Sequence, residues 1–168
     1  IRDSLVTGLL SQGHSVDVVA PKKSQLSESN KKAKLHMVEG TDQISWQHQN
    51  YYSSVSIPDN SLLSGMIEKG IELGEKADIL LNFSYDWLPI WMTLNLKIPI
   101  AHIISMGSES SIIYNLVSKV HNKYPYNFAF HSKTQASDYS FIREPIIIGN
   151  GFDLKNYRFQ NAMNGPLA

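Results

Sequence analysis

The chain has 168 residues, 42% of them hydrophobic and 18% charged, and its fifteen basic side chains balance fifteen acidic ones. This composition is typical of one globular domain with a real core and excludes a disordered chain. The zero net charge argues against a broad nucleic-acid-binding surface, and the absence of cysteine excludes disulfides and thiolate metal sites. No apolar run reaches the roughly 20 residues of a transmembrane helix and no signal peptide is visible, so we expect a cytoplasmic protein.

The first forty residues are predicted to form a helix followed by two strands. Apolar residues at helical spacing indicate a helix over residues 1–12, which Gly13 is suited to end. The β-branched run at residues 16–20 predicts a buried strand, and residues 35–38 predict a short one. Because the sequence opens inside a helical pattern, we expect a first strand and its loop to precede it in the full protein.

Residues 39–60 show no clear hydrophobic period, although residues 46–52 are rich in aromatic and amide side chains. A structureless loop of this length inside a compact domain is often functional. Residues 61–76 then carry a clear helical pattern, with Asn60 or Ser61 as the capping residue.

Residues 78–108 predict a βαβ unit, with strands at residues 79–81 and 98–104 and a helix at residues 86–96 between them. Polar or small residues follow each strand, and ligands of open α/β sheets bind at this carboxyl edge. The candidate cleft residues are therefore Asn82, Tyr85 and Asp86 after the first strand, then Ser105, Met106, Gly107 and Ser108 after the second.

The remaining residues continue the alternation of helices and strands. We predict a helix at residues 110–122, a strand at 126–130, a helix at 134–141, a strand at 145–148 and a helical turn at 152–157. His131 follows a strand at the same expected sheet edge and is a further cleft candidate. The fold class is thus α/β with a doubly wound, Rossmann-like parallel sheet. Residues 1–149 form the domain, and residues 150–168 form a hinge or linker.

Each candidate also has a structural alternative. Asp86 is either a helix cap or a carboxylate facing the cleft, and Asn82 and Tyr85 are either cleft donors or residues that satisfy their own loop. The loop from Ser105 to Ser108 either binds phosphate or sugar oxygens or caps the next helix. His131 either lines the cleft or completes a loop, whereas His102 inside an apolar strand is expected to be a satisfied core histidine.

No self-contained catalytic motif is present: there is no GxGxxG, P-loop or GxSxG sequence, and no histidine pair at metal-ligand spacing. Five segments in order nevertheless resemble the amino-terminal domain of the family 4 retaining glycosyltransferases of the GT-B fold. These segments are GLLSQGHSVDVVAP, ADILLNFSYDWLP, KIPIAHIISMG, NFAFHSKTQASDY and IIIGNGFDLKNY. Within that family, VVAPKKSQL, NFSYDWLPIW with SMGS, and the amides at residues 43–49 resemble the cyanobacterial group that glucosylates tetrahydrobiopterin from UDP-glucose.

The resemblance implies a hexosyltransferase that uses a nucleotide sugar, UDP-glucose by the narrower resemblance, and that retains the anomeric configuration. This domain would bind the acceptor, which the resemblance suggests is a pterin, while a carboxy-terminal domain of the same protein binds the donor. Asn150, Gly151 and Asp153 would form the hinge between them. No metal or other cofactor is implied, and the chain alone is expected to be inactive.

The catalytic residues stay undefined, because the family's usual histidine position after residues 99–104 corresponds to Ser105 here. Two other classes of function stay open. One is a non-catalytic small-molecule-binding module of α/β fold, and the other is a domain that serves only protein interaction.

Overall fold

Five helices and six strands alternate along the chain in the computed structural model, which describes residues 2–151. The helices are α1 (Arg2–Ser11), α2 (Leu62–Gly74), α3 (Trp87–Met92), α4 (Ser111–Lys123) and α5 (Lys133–Ser137). The strands are β1 (Asp17–Pro21), β2 (Lys34–Val38), β3 (Leu80–Asn82), β4 (Ile100–Ile104), β5 (Phe128–Phe130) and β6 (Ile146–Ile147). Each helix and strand predicted within these residues is present, while the predicted turn at 152–157 lies outside them.

Several element ends differ from the prediction. The helix predicted at residues 86–96 is shorter, because α3 stops at Met92 and turns closed by Leu94 and Leu96 N–H groups follow it. The segment at residues 39–60 is largely irregular and contains a short 3₁₀ turn at Trp46–His48. α1 ends as predicted, with Gly13 at φ +86° and the His14 N–H bonded to the Leu9 carbonyl.

All strand pairs are parallel, which confirms the α/β class, but the strands form two sheets where one was predicted. β1 pairs with β2 in one sheet, and β3, β4, β5 and β6 form the other in chain order. β1 and β3 are not hydrogen-bonded to each other, so the expected single sheet is divided between them. The carboxyl ends of β3 to β6 consequently lie along one edge of the larger sheet.

Each sheet has its own hydrophobic core. The smaller core joins α1 to β1 and includes Val6, Val18 and Ala20. The larger core joins β4, β5 and α4, with Ile104, Val117 and Phe130 fully or almost fully buried. Because burial of such side chains is the main stabilising contribution, the larger sheet and α4 form the rigid support for the loops after β3 and β4.

Four helices begin at a side chain that caps the helix amino terminus. The capping oxygens of Ser61, Asp86, Ser110 and Ser132 accept backbone N–H groups at the start of α2, α3, α4 and α5. Such caps satisfy backbone donors that the helix itself leaves free. No helix within residues 2–151 combines the length and apolar character needed to cross a membrane.

His102 lies in β4 and connects three elements. Asn82 of β3 donates its amide to His102 Nδ1 at 3.0 Å, and His102 Nε2 is 2.8 Å from Thr93 Oγ1 at the end of α3. Because the Thr93 hydroxyl donates to the Pro89 carbonyl at 3.0 Å, His102 carries its proton on Nε2. The prediction of a satisfied core histidine is therefore confirmed, since the ring is fully buried with both nitrogens bonded.

Gly40 lets the segment after β2 lie directly against the start of α2. The Thr41 N–H donates to the Asn60 carbonyl at 2.7 Å, and the Leu62 N–H donates to the Thr41 carbonyl at 2.9 Å. A Cβ atom on Gly40 would lie 2.6 Å from the Leu62 Cα and 2.7 Å from the Asn60 carbonyl oxygen. Only glycine fits this contact between backbones, and the contact fixes where residues 42–46 lie.

Burial lowers the pKa of His102 to about 4, whereas an unfolded histidine titrates near 6.5. Between these values the unfolded chain binds a proton that the folded chain excludes. The free energy of unfolding should thus fall as the pH drops from about 6.5 to 4, by up to about 3 kcal/mol from this residue. Urea unfolding at pH 7 and pH 4.5 should show a smaller loss for His102→Gln than for the wild type. If both proteins lost the same free energy of unfolding, the lowered pKa of His102 would be contradicted.

Gly40→Ala should destabilise the fold by about 1–3 kcal/mol, because the added methyl group meets backbone atoms that cannot turn aside. Gly70→Ala is the matched control, since Gly70 lies inside α2 with no atom within 4 Å of an added Cβ. The control should be more stable than the wild type by about 0.5–1 kcal/mol. Thermal and urea unfolding measure both variants, and equal effects would rule out the close approach at Gly40.

Candidate functional site

The loops after β3 and β4 lie side by side, as the sequence predicted. The two strands pair in parallel, with Leu80 opposite Ile100 and Asn82 opposite His102. The Tyr85 hydroxyl donates to the Gly107 carbonyl at 2.8 Å and so joins the loops directly. The carboxyl edge of the larger sheet therefore brings most of the predicted residues into one region.

A cavity of about 380 Å³ opens beside these loops. Three parts of the chain line it: the segment after Gly40, the first turns of α2, and the two loops at the sheet edge. The lining residues are Asp42, Gln43, Ile44, Ser45, Trp46, Leu62, Leu63, Met66, Ser84, Tyr85, Asp86, Ser105 and Met106. A second cavity of about 160 Å³ shares Asp42, Gln43, Ile44 and Trp46 with the first. The combination of apolar walls with a few polar groups is typical of small-molecule sites.

Asp86 is both a helix cap and a cavity residue, so the two roles considered from sequence coexist. Its Oδ1 accepts the Leu88 N–H at 3.3 Å, and its Oδ2 accepts the Gln43 side-chain amide at 3.0 Å. Burial raises the pKa of the Asp86 carboxyl, while hydrogen bonds from Leu88 and from nearby N–H groups of Trp46 and Trp87 act in the opposite direction. The result is a buried carboxylate whose position is fixed by donors on several sides.

Gln43 was not among the predicted cleft residues, and Trp46 was considered only as part of the aromatic segment 46–52, which could hold a flat acceptor ring. Gln43 accepts the Ser61 hydroxyl at 3.3 Å while donating to Asp86, and thus links the starts of α2 and α3. The Trp46 side chain is 4% exposed and contacts both cavities. Its indole N–H approaches Asp86 closely enough to lower the pKa of that carboxyl, yet it makes no hydrogen bond of good geometry within the described residues.

The hydroxyl of Tyr85 is used to hold the neighbouring loop. Besides donating to the Gly107 carbonyl, it accepts the Glu109 N–H at 3.1 Å and lies 3.4 Å from the Tyr139 hydroxyl. Burial raises the pKa of Tyr85 and, more strongly, that of Tyr139. Tyr85 therefore lines the cavity with a neutral ring and positions the loop that carries Ser105.

The predicted loop from Ser105 to Ser108 divides into two parts. Ser105 and Met106 line the larger cavity, whereas Gly107 and Ser108 line neither cavity. Gly107 faces the Asp138 carboxylate so closely that a side chain there would displace it. The next helix is capped by the Ser110 hydroxyl, which accepts the Ile113 N–H at 3.4 Å. Of the predicted loop, only Ser105 and Met106 therefore lie at the cavity.

Asn82 and His131 do not line either cavity. Asn82 uses its amide on His102 and on the Ser84 carbonyl, and accordingly completes its own loop. His131 Nδ1 donates to the Gly149 carbonyl at 3.0 Å, next to the proposed hinge. Gly149 itself has a φ of +70°, which glycine adopts readily. Asn150 and Gly151 are the last described residues, and Asp153 lies outside them.

The charges around the cavity are acidic. Asp42 and Asp86 line it, and the described part of the chain contributes no lysine, arginine or histidine to the lining of either cavity. Among residues 2–151, no set of three histidine, aspartate or glutamate side chains is arranged to hold a metal ion. The groups present can accept hydrogen bonds from a ligand and cover its apolar surface.

No protein-family model matches the chain, and no curated protein matches it.

Tyr85→Phe should lower the free energy of unfolding by about 1–2 kcal/mol, because the Gly107 carbonyl and the Glu109 N–H lose a shared partner. Tyr126→Phe is the matched control, since Tyr126 is 79% exposed. The control should change stability by less than about 0.5 kcal/mol. Urea unfolding compares the two variants, and a Tyr85→Phe protein as stable as its control would show that the hydroxyl does not hold the loop.

Proposed function

We propose that this chain is the acceptor-binding domain of a cytoplasmic retaining glycosyltransferase of the family 4, GT-B type. The observation that carries the proposal is the cavity at the carboxyl edge of the larger sheet, with the fixed Asp86 carboxylate in its wall. Its size suits a small molecule, and its position is the one that α/β sheets use for ligands. The resemblance of five ordered sequence segments supplies the reaction class.

In the proposed reaction an acceptor hydroxyl attacks the anomeric carbon of the donor sugar, and the nucleoside diphosphate leaves. The new glycosidic bond forms on the face from which the diphosphate departs, and the hydroxyl proton passes to the departing phosphate. A hexose, glucose from UDP-glucose by the resemblance, is transferred in this way. Asp86 accepts a hydrogen bond from the acceptor, and Ser105 lies at the neighbouring strand end. These contacts orient the hydroxyl before attack.

The donor is expected to bind mainly to a carboxy-terminal domain that is not part of this sequence. The cavity supports this division, because its lining in the described residues has no basic side chain to neutralise a diphosphate. The resemblance suggests a pterin as acceptor. Trp46 lies too deep to offer its face for stacking, and Tyr51 and Tyr52 line neither cavity, so a ring would bind against the walls formed by α2 and Met106.

A non-catalytic binding module is the second candidate, and one observation favours it: the cavity has apolar walls with a few polar groups, which is enough to bind a small molecule without any chemistry. The two candidates differ in whether a bound ligand is glycosylated.

The first test is release of UDP from UDP-glucose by the full-length protein, with and without a reduced pterin and beside a panel of sugar and lipid acceptors. Acceptor-dependent release supports the proposal, and release that depends on the pterin supports the narrower resemblance. The 168-residue chain alone should show no turnover. If no UDP- or GDP-sugar is consumed with any acceptor, the binding module is the better assignment.

Asp86→Asn should lower kcat/KM for the acceptor by about tenfold or more, because the amide keeps the helix cap but loses the charged acceptor. Asp78→Asn removes the same charge at an exposed position outside both cavities and should leave kcat/KM unchanged. Initial rates over a range of acceptor concentrations compare the two. Equal rates for both variants would exclude Asp86 from the acceptor site.

A further inference from the structure

The larger cavity is negatively charged on a chain whose net charge is zero. Asp42 and Asp86 contribute carboxylates to its lining, and Glu109 and Asp138 lie just behind the Tyr85 loop. Within residues 2–151, no cationic side chain lines either cavity to offset them. A like charge brought into such a site is repelled more strongly than in water, because the surroundings are poorly polarisable.

Three backbone donors close to this cavity are already bonded. The Leu88 N–H at the start of α3 binds the Asp86 carboxylate, and the Glu109 N–H binds the Tyr85 hydroxyl. At the start of α4, Ser110 accepts the Ile113 N–H. Phosphate or carboxylate binding at helix starts depends on free N–H groups, and these three are occupied.

A second observation points to a ligand that carries hydrogen-bonding groups. The Trp46 indole N–H is buried in the cavity wall and has no hydrogen-bond partner of good geometry within the described residues. Buried polar atoms without partners are uncommon, and at a cavity they indicate a group that a ligand completes. Beside it, Asp86 has acceptor capacity beyond its bonds to Leu88 and Gln43. The site therefore combines a strong acceptor with a neutral indole N–H beside it, and neither group brings a positive charge.

We propose that this cavity selects its ligand by charge, taking neutral or cationic molecules that donate O–H or N–H hydrogen bonds and rejecting phosphorylated or carboxylated ones. The inference rests on the proposed function in that the ligand is taken to be the sugar acceptor. It narrows the acceptor class, because sugar phosphates and other anionic acceptors are excluded. The carboxylates Asp42 and Asp86 cause the discrimination, with Asp86 contributing more because it is buried.

The test uses three probes of nearly equal shape and different charge at pH 7: tyramine, 4-ethylphenol and 4-hydroxyphenylacetate. Each has a phenol hydroxyl, and the charges are positive, zero and negative. Binding is followed by NMR of protein labelled at its three tryptophan indoles, with the Trp46 signal assigned by substitution. Tyramine and 4-ethylphenol should bind at least about tenfold more tightly than the acid, and they should shift the Trp46 signal.

Asp86→Asn should reduce the preference for tyramine over the acid by about threefold or more, and Asp42→Asn should reduce it less. Asp78→Asn serves as the control, because it removes an exposed charge outside both cavities and should leave the preference unchanged. Asp42→Asn also covers the case in which the Asp86 variant does not fold, since the Asp42 side chain caps no helix.

Equal affinities for the three probes, tighter binding of the acid, or no shift of the Trp46 signal at millimolar concentrations would each overturn the inference. The proposed function has a separate test, because glycosyl transfer is measured as UDP release. A charge preference without any sugar transfer would reject the glycosyltransferase and keep the selective cavity. Sugar transfer to a phosphorylated acceptor as efficient as to its neutral form would reject the selectivity and keep the enzyme.

Discussion

The hydrogen bonds that link the side chains of Asn82, His102 and Thr93 hold the elements around the candidate site in place. It joins β3, β4 and the end of α3 inside the core, where neither ring nitrogen of His102 can reach water. Because a buried polar group without a partner is costly, the three side chains can satisfy one another in only a few arrangements. Asn82 also bonds both backbone groups of Ser84, and this loop then leads to Tyr85 and Asp86. The position of Tyr85 and Asp86 in the cavity wall therefore depends on hydrogen bonds inside the larger sheet.

Asp86 connects the fold to the proposed ligand site. The carboxylate ends the loop, caps α3 and faces the cavity, and Gln43 attaches the distant segment after β2 to it. A helix cap needs a fixed acceptor, and a ligand site needs the same. The two demands agree here, so the proposed ligand recognition would not compete with stability at this position.

The sequence predicted the order of helices and strands because their signals are local. β-branched runs, helical spacing and the capping serine at 61 lie within a few residues of the elements that they define. It also predicted that Tyr85, Asp86, Ser105 and Met106 would meet, because parallel strands place their carboxyl ends together. The division into two sheets was not predicted, since hydrophobic pattern does not state which strands pair.

The other half of the cavity could not be found from sequence pattern. Gln43 and Trp46 reach Asp86 across about forty residues, and their segment has no period that would indicate its place. Only the structure shows that the Gly40 backbone packs directly against α2 and so places this segment beside the helix.

The positions of the tryptophans have a spectroscopic consequence. Trp46, Trp87 and Trp91 are all the tryptophans of the chain, and the first two line the cavities while the third lies 6.5 Å from Trp87. The tryptophan fluorescence of the protein therefore originates around this one region, so a molecule that enters either cavity is expected to change its emission.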